Sequence, residues 1–301
     1  MKKLLLLSAL LIFACSSDDS DNTNCPDQPI INTLEVSEIN YDIDTDRASA
    51  VFSAEIQNIQ LGANCETISV TTQGFVYGTN IQPQIGGSNN LYYGITVPVN
   101  GQTPSFTLDN IYPETTIYVR AFLTNVIGTF YGNEVSFTTP PSAGPLYLDE
   151  NGITIKARPW ADYGDVGTVD GVEYTVVDRA MLYETLSSDN TNVCTTKMTD
   201  FSYLWNYADL GDLFNVPMNN WDTSNVTTMG ETFSGNNEFN QDISNWDTSN
   251  VTQMWRMFRN ATAFNQDISN WDVSNVIDCD NFSDNTPQWT LPQPNFTNCT
   301  P

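Results

Sequence analysis

The sequence predicts a mainly β N-terminal sandwich followed by a short α/β solenoid with a 25-residue period. The nine residues FNQDISNWD at Phe239–Asp247 recur unchanged at Phe264–Asp272, 25 residues further on. Over the full units, residues 226–250 and 251–275 agree at 15 of 25 positions. A fixed short period is the signature of stacked repeats that share one core. Between residues 28 and 139, apolar and polar residues alternate between turn signals, which is typical of half-buried strands.

Residues 1–14 are expected to be a signal peptide. Lys2 and Lys3 precede the apolar run Leu4–Ala14, which is too short to span a membrane. The sequence IFAC that ends at Cys15 is similar to a bacterial lipobox. This resemblance implies cleavage directly before Cys15 and acylation of that residue, whereas the alternative is an ordinary secretory peptide with an unmodified cysteine.

Residues 15–27 are predicted to be a lipidated acidic tether. The stretch SSDDSD at 16–21 resembles the acidic export tag that follows the lipidated cysteine in surface-exposed lipoproteins of Bacteroidetes-type bacteria. The alternative is a plain solvated tether, because short acidic runs bury no core. The expected location is the outer membrane, with the folded part exposed on the cell surface.

Residues 28–139 are predicted to form the sandwich. The candidate strands are Ser49–Ile56, Gly74–Tyr77, Tyr92–Val99, Ser105–Leu108, Thr116–Thr124 and Asn133–Thr138. The stretch LDNIYPETTIYVRA at Leu108–Ala121 resembles the later strands of a fibronectin type III domain, and Gly128–Thr139 is similar to the final strand of such domains. The resemblance implies that Tyr118 is the corner tyrosine, whose hydroxyl ties a loop to the strand. The usual early core tryptophan is missing, and Phe52 is its nearest substitute.

We interpret this sandwich as a spacer. Binding of sugar or protein by its loops is the alternative, since sandwich folds carry many functions. Residues 140–145 follow as a stiff, turn-rich linker. Residues 146–197 are expected to cap the solenoid, with strands at Leu146–Ala157 and Val172–Val177 and a short helix at Arg179–Leu186. A separate small domain is the alternative interpretation of this segment.

Residues 198–301 are predicted to be the repeats with a C-terminal cap. In one unit, Val226, Met229 and Phe233 follow a spacing of three and four, which predicts a short helix. A short strand and turn are expected from Phe239 to Trp246. The first and last units depart from the pattern, as terminal repeats must cover an open apolar face.

Stacking would bring equivalent side chains into ladders with the strand spacing of about 5 Å. The expected ladders are Trp221, Trp246 and Trp271; Phe214, Phe239 and Phe264; and Asn225, Asn250 and Asn275. The aromatic ladders would form the core. The asparagines would hydrogen-bond along the stack and satisfy turn backbone.

The block M-x-x-x-F followed by FNQDISNWDVSNV resembles the BspA-like leucine-rich-repeat surface proteins, the DUF285 repeat, over Met198 to Pro301. Leucine is nearly absent, and methionine, phenylalanine, isoleucine and tryptophan take the core positions. The resemblance implies a cell-surface protein, since some members are implicated in adhesion to host proteins or other cells. The family defines no catalytic residues, so none is transferred to this chain.

The charge and composition narrow the function classes. A net charge of −26 argues against nucleic acid and against direct attachment to anionic lipid. The chain has no histidine, which removes Ser-His-Asp and Cys-His catalysis and the usual histidine-containing zinc sites. Carboxylate chemistry such as glycoside hydrolysis stays open, but among 36 acidic residues a pair carries no information. No cofactor is expected.

Six cysteines are present, and an exported protein occupies oxidising space that permits disulfides. With Cys15 assigned to lipid, the pairs by position are Cys25 with Cys65 and Cys279 with Cys299. The second bridge would staple the end of the solenoid. Cys194 is left over and is predicted to be a buried thiol. The absence of CxxC spacing argues against a metal site.

Two features of the repeats are candidate binding sites. Trp255 with Arg256 and Arg259 has the composition of a binding hot spot, if Trp255 points outward. Its alternative role is to cover a neighbouring loop.

The second feature is the acidic ladder of Asp222, Asp247 and Asp272, with Asp242 and Asp267 beside it. Its oxygens would suit calcium. The preferred interpretation is that each aspartate closes an Asx-type turn, so no metal is assigned.

The expected function is non-enzymatic adhesion or recognition of an extracellular protein or glycan through the solenoid. The alternative is a glycan-capturing accessory protein of a polysaccharide uptake system, and an enzyme is the third hypothesis. The membrane would be contacted only through the lipid anchor, nucleic acid is not an expected partner, and the oligomeric state is left open.

Overall fold

The computed structural model describes residues 29–57, 70–88, 90–95, 104–188, 190–205 and 215–301. The described residues divide into two compact units, one within 29–41 and 47–141, the other within 42–46 and 142–301. The predicted signal peptide, the tether, Cys15, Cys25 and Cys65 lie outside the described residues. Within the described ranges, no helix has the length and apolar character to cross a membrane.

The first unit is a mainly β, sandwich-like fold. Its described strands are β1 (Ile30–Thr33), β2 (Ser37–Asp42), β3 (Arg47–Gln57), β4 (Val70–Gly78), β5 (Asn90–Ile95), β6 (Ser105–Ile111), β7 (Thr116–Asn125) and β8 (Thr129–Thr138). In one sheet β3 pairs with β1, β2 and β6, and the other sheet has the order β5-β4-β7-β8. The six predicted strands correspond to β3 through β8, although residues 96–99 of the predicted strand Tyr92–Val99 lie outside the described residues. β1 and β2 were missed because they are largely exposed and lack a clear alternation.

The core of this unit is centred on Phe52, which is 1% exposed. Its ring centroid lies 5.8–6.1 Å from those of four other aromatic rings: Phe75, Tyr77, Phe106 and Phe137. Such tilted aromatic contacts add to the burial of apolar area. Phe52 therefore fills the centre of a core that has no tryptophan.

The predicted role of Tyr118 as a corner tyrosine is wrong. Strand alternation buries Ile117 and Val119 on the core face of β7, so Tyr118 lies on the opposite face. Its hydroxyl makes no hydrogen bond to any residue that the structure describes. A one-residue difference in register exchanges the two faces of a strand, and sequence similarity alone did not resolve it.

The second unit begins with short strands and one helix. They are β9 (Leu146–Leu148), β10 (Ile155–Ala157), β11 (Val166–Val169), β12 (Val172–Val176), α1 (Arg179–Ser187) and β13 (Val193–Cys194). The Asp178 side chain caps α1 by accepting a hydrogen bond from the Met181 amide at 2.8 Å. The predicted helix is confirmed, whereas the predicted strand Leu146–Ala157 is divided by a turn around Gly152, where φ is 71°.

In the described residues beyond 197, namely 198–205 and 215–301, the backbone forms stacked turns rather than α-helices and strands. Parallel bridges join Asp200 to Thr228, Thr228 to Gln253, and Gln253 to Asp278. We call the stacked segments coil 1 (198–205 with 215–225), coil 2 (226–250), coil 3 (251–275) and coil 4 (276–301). In each coil, the bridge residue and the turns that follow it form a segment that we call the ridge. The ridges of coils 1 to 4 are, in order, residues 199–205, 227–236, 252–261 and 277–286.

The helix predicted from Val226 to Phe233 is wrong, and so is the strand predicted from Phe239 to Trp246. Glu231 has a left-handed backbone with a φ of 53°, as do its counterparts Arg256 and Asn281 at 51° and 55°. This conformation interrupts a right-handed helix. Neither helix nor strand is formed in the described part of the coils, so the α/β description of this region does not hold.

The predicted aromatic ladders are formed. Trp221 and Trp246 stack with ring centroids 6.5 Å apart, and Trp246 and Trp271 with centroids 6.3 Å apart. The Phe239 and Phe264 rings stack at 5.5 Å with an interplanar angle of 3°, while Phe214 lies outside the described residues. These rings are almost completely buried and make up much of the core of the coils.

Candidate functional site

The ridges are joined to one another by backbone hydrogen bonds. Between coils 2 and 3, the amides of Met229, Glu231 and Phe233 donate to carbonyls of coil 3 at 2.8, 2.9 and 2.9 Å. These N–H groups would serve an α-helix if they bonded within their own coil. Their use between coils explains why the spacing of three and four marks a buried face but not a helix, and it fixes the ridge side chains on a rigid support.

Trp255 is half-buried and covers the neighbouring coil. A Cβ added to Gly230 would lie 2.4 Å from the Trp255 ring, so the ring occupies the space that the missing side chain leaves. The ring also meets Tyr203 edge-on, with centroids 5.4 Å apart. Trp255 therefore has the packing role that the sequence left open as its alternative. The sign of this role in the sequence is Gly230, which stands at the position of Trp255 in the preceding repeat and has no side chain to fill that space.

The two arginines form ion pairs with different partners. Arg256 lies 3.3 Å from Glu231 of coil 2, and its guanidinium lies 6.0 Å from the Trp255 ring centroid. Arg259 lies 3.8 Å from Asp284 of coil 4. Ion pairs this exposed contribute about 0–1 kcal/mol. The structure thus brings Trp255, Arg256 and Tyr203 into one cluster, while Arg259 joins the coil 3 ridge to the coil 4 ridge.

The predicted acidic ladder closes turns. Asp222, Asp247 and Asp272 each accept a hydrogen bond at 3.0 Å from the backbone amide two residues later, which belongs to a serine. The serine hydroxyl also donates to Asp222 and Asp247, at 2.7 and 2.6 Å. These are Asx-type turns. Among the described residues, no group of three or more Asp, Glu, Cys or His side chains is arranged to hold a metal ion.

Hydrogen bonding to the charged form lowers the pKa of two of these carboxyl groups. The Ser274 hydroxyl and amide lower the pKa of Asp272, and Ser269 does the same for Asp267. Both carboxylates are therefore committed to their turns.

The asparagine ladder connects the coils. The side-chain amides of Asn225, Asn250 and Asn275 donate to carbonyls of the preceding turn at 2.8, 2.7 and 2.7 Å. Asn298 continues the row by donating to Ser274. The predicted asparagine ladder is thus formed, and it has a structural role.

The cysteines of the second unit are structural. Cys279 and Cys299 form a disulfide with their Cα atoms 5.9 Å apart. Cys194 is free and buried, and burial raises the pKa of its thiol. A thiol held in its protonated form is a poor nucleophile, so Cys194 is a packing residue.

The two units define a class of protein in which a β-sandwich precedes a stack of short repeats in the chain. Residues 178–292 match the model of a family described as Mycoplasma protein of unknown function, DUF285. This match confirms the predicted resemblance to the DUF285 repeat over residues 198–292. No curated protein matches the chain.

Solved structures with similarity to the chain include fibronectin type III domains. The 6th such domain of human fibronectin type III domain containing protein 3 is 21% identical and covers 43% of this chain and 97% of its own, with a TM-score of 0.22. The sensor domain of the anti-sigma factor RsgI4 of Pseudobacteroides cellulosolvens is 17% identical and covers 38% of this chain and 98% of its own, with a TM-score of 0.29.

Proposed function

We propose that this chain is a non-enzymatic lipoprotein of the bacterial cell surface that binds an extracellular protein or glycan. Binding would take place on residues 198–301, arranged as a solenoid of the leucine-rich-repeat type. The observation that carries the proposal is the stack of ridges with a 25-residue offset, in which Thr228 pairs with Gln253 and Gln253 with Asp278. Such a stack presents a fixed, extended surface, as binding solenoids do.

The rigidity of this surface favours recognition. Phe239, Ile243 and Trp246 are at most 3% exposed. Asn245 and Asp247, which flank Trp246 in the sequence, face solvent. Polar side chains backed by a packed core lose little conformational freedom when a ligand binds. Short coils present a small area, so many anchored copies would strengthen binding to a multivalent partner.

The anchor is supported by the sequence of residues 1–21. The apolar run before Cys15 and the acidic stretch after it resemble an exported lipoprotein of the Bacteroidetes type. Acyl chains on Cys15 would hold the protein in the outer membrane, with about 0.8 kcal/mol for each buried CH₂.

Capture of glycan for a polysaccharide uptake system is the second candidate function. It is favoured by the pair of Tyr203, which is 42% exposed, and Trp255, whose ring meets it at 5.4 Å. Arg256 lies beside this pair and adds hydrogen-bond donors. Aromatic rings with a few polar groups are the usual lining of small-ligand sites.

An array of glycans and extracellular proteins, probed with the chain in calcium and in EDTA, tests both functions. Saturable binding to proteins supports adhesion. A cluster of related glycans, whose binding is lost in Tyr203→Ala but kept in Tyr112→Ala, supports glycan capture; Tyr112 is an exposed aromatic of the sandwich. Absence of saturable binding to either class contradicts both proposals.

The anchor is tested separately by incorporation of labelled fatty acid in a bacterial host. The chain should acquire label and partition into membranes, and Cys15→Ser should abolish both. Label that persists in Cys15→Ser would contradict the assignment.

A further inference from the structure

The backbone ladder between the ridges has a direction. Met254, Arg256 and Phe258 of coil 3 donate their amides to carbonyls of coil 4 at 2.7, 2.9 and 2.8 Å, repeating the pattern between coils 2 and 3. From the bridge residue onward, each ridge thus offers carbonyls to the preceding coil and N–H groups to the following coil. The first residue of each ridge is the exception, as Ile277 donates its amide back to the Thr252 carbonyl at 2.9 Å. The first ridge is left with carbonyls to satisfy and the last ridge with N–H groups.

The carbonyl end is closed by helix α1. Arg179 donates to the carbonyls of Asp200 and Ser202, both at 2.8 Å, and the Tyr183 hydroxyl donates to the carbonyl of Leu204 at 2.6 Å. These three carbonyls correspond by position to those that accept hydrogen bonds in coils 2 to 4. The cap therefore occupies the place of a preceding ridge.

The N–H end is not closed in this way. The amides that would continue the ladder belong to Cys279, Asn281, Ser283 and Asn285, and none of them donates to a residue that the structure describes. The chain after residue 286 closes the core instead. Trp289 packs against Phe264, with ring centroids 4.7 Å apart, and Phe296 packs against Phe282, with centroids 4.9 Å apart.

The last ridge is acidic. Asp280 and Asp284 are exposed, and Asp278 is half-buried beside them. Between earlier ridges, opposite charges meet across the ladder, as Glu231 and Arg256 do at 3.3 Å. Asp284 already lies 3.8 Å from Arg259 of coil 3. A segment added after coil 4 would place its side chains next to Asp278 and Asp280 as well, so basic residues would complement these two carboxylates.

Cys279 is completely buried, so the accessible donors are the other three amides. We infer that the last ridge, through the N–H groups of Asn281, Ser283 and Asn285, binds an extended basic segment of a partner protein as one more parallel layer. Addition of a strand to an unpaired edge is an established mode of peptide recognition. The inference rests on the proposed function, in that it takes the ligand to be a protein, and it names the surface and the class of partner.

The shape of the ridge restricts the partner further. Asn281 and Asn285 have left-handed backbones with φ of 55° and 57°, as do Arg256 and Asn260 one coil earlier at 51° and 60°. A segment that follows this ridge needs the same two bends, four residues apart. Glycine and asparagine adopt that conformation most easily. The disulfide at Cys279 holds the edge in place before binding.

A synthetic peptide with the coil 3 ridge sequence VTQMWRMFRNA, residues 251–261, is the probe for this edge. It carries two arginines and an asparagine at the second bend. Added to the full chain, it should bind saturably and slow amide hydrogen exchange at Asn281, Ser283 and Asn285. Replacement of both arginines by glutamate should weaken binding by about tenfold or more, since like charges oppose it.

Variants of the chain test the same edge. Asp280→Lys should weaken peptide binding by about tenfold, whereas the matched charge change Asp109→Lys, on exposed β6 of the sandwich, should not. Ser283→Pro removes one donor and should weaken binding further, with the melting temperature reporting whether the coil stays folded. Unchanged binding in Asp280→Lys, or exchange protection outside residues 277–286, would overturn the inference.

The inference and the proposed function fail separately. If the arrays yield protein ligands whose binding is unaffected by Asp280→Lys, the function stands and this edge is not the site. If the peptide binds the edge while the arrays yield no protein ligand, the edge is a binding site and the adhesion proposal is wrong.

Discussion

At the scale of single residues, the contact between Gly230 and Trp255 shows how neighbouring coils fit together. Gly230→Ala would place a Cβ within 2.4 Å of the indole ring, so the ring must move and lose its contact with Tyr203. We expect a loss of about 1–3 kcal/mol in the free energy of unfolding, as for other overpacked sites. Denaturant unfolding of the second unit measures it.

The double variant is the control for this contact. In the Trp255→Ala background, the added methyl of Gly230→Ala meets open space and should cost much less. A double-mutant cycle separates this coupling from the intrinsic effect of alanine at position 230. Equal costs in the two backgrounds would show that the indole ring is not the obstacle.

The turn aspartates give a prediction about pH. Ser274 lowers the pKa of Asp272 below its ordinary 3.8 in the folded chain, so the folded state favours the carboxylate. This stabilisation is present above pH 3.8 and is lost as the pH falls through the lower, folded pKa. Ser274→Ala should raise the Asp272 pKa towards 3.8, as measured by NMR titration of the carboxyl carbon.

The neighbouring turn is an internal control in the same titration. Asp267 keeps its own serine, Ser269, so its pKa should not change in Ser274→Ala. An unchanged Asp272 pKa would mean that the hydroxyl is not what stabilises the charge.

At the scale of elements, the sequence predicted which side chains of the coils are buried better than it predicted the conformation of the backbone. The identical FNQDISNWD blocks place Trp246 and Trp271 at equivalent positions. Stacking of equivalent positions produces a shared core, and this holds for any backbone conformation between the two residues. The spacing of Val226, Met229 and Phe233 says only that the three lie on one side. The Met229 and Phe233 amides donate to carbonyls 24 residues away, whereas the Val226 amide donates to Thr223 in its own coil. No local sequence pattern contains the two distant partners.

The candidate site was predictable to a similar degree. The covering role of Trp255 was one of two roles that the sequence left open, and the Trp-Asp-x-Ser-Asn string indicated turns. The closure of the first ridge by Arg179 and Tyr183 was not predictable, because it joins a helix to carbonyls about 21 residues away along the chain. The unpaired N–H groups of the last ridge follow only from the direction of the ladder.

The asparagine ladder is an element whose contribution can be measured. Asn250→Ala removes the 2.7 Å hydrogen bond to the Ser224 carbonyl and should lower the free energy of unfolding by about 0.5–1.5 kcal/mol. Asn245 is also exposed but has no hydrogen bond to a described residue, so Asn245→Ala should change stability by less than about 0.5 kcal/mol. Chemical denaturation of both variants makes the comparison, and equal effects would remove the ladder as a source of stability.

At the scale of the whole molecule, the two compact units should respond separately to changes in the chain. Each has its own buried core, one centred on Phe52 and the other on the stacked aromatic rings of the coils. Calorimetry of the intact chain should therefore show two transitions. The disulfide between Cys279 and Cys299 belongs to the second unit alone, which makes it a selective probe.

Replacement of both Cys279 and Cys299 by alanine should destabilise only the second unit. The bridge closes a loop with a sequence separation of 20, and a loop of that length contributes roughly 3 kcal/mol by constraining the unfolded chain. For a unit of this size the melting temperature should fall on the order of 10 °C. The first transition should not move.

The paired replacement is a better test than a reducing agent. Cys25 and Cys65 are predicted to pair as well, so a reductant would act on the first unit at the same time. Cys194→Ala is the matched control, because Cys194 is buried but free and its loss removes one small side chain without opening a loop. A fall in both transitions after the paired replacement would mean that the units unfold together. A fall of equal size in Cys194→Ala would assign the effect to lost packing rather than to the bridge, since only the bridge constrains the unfolded chain.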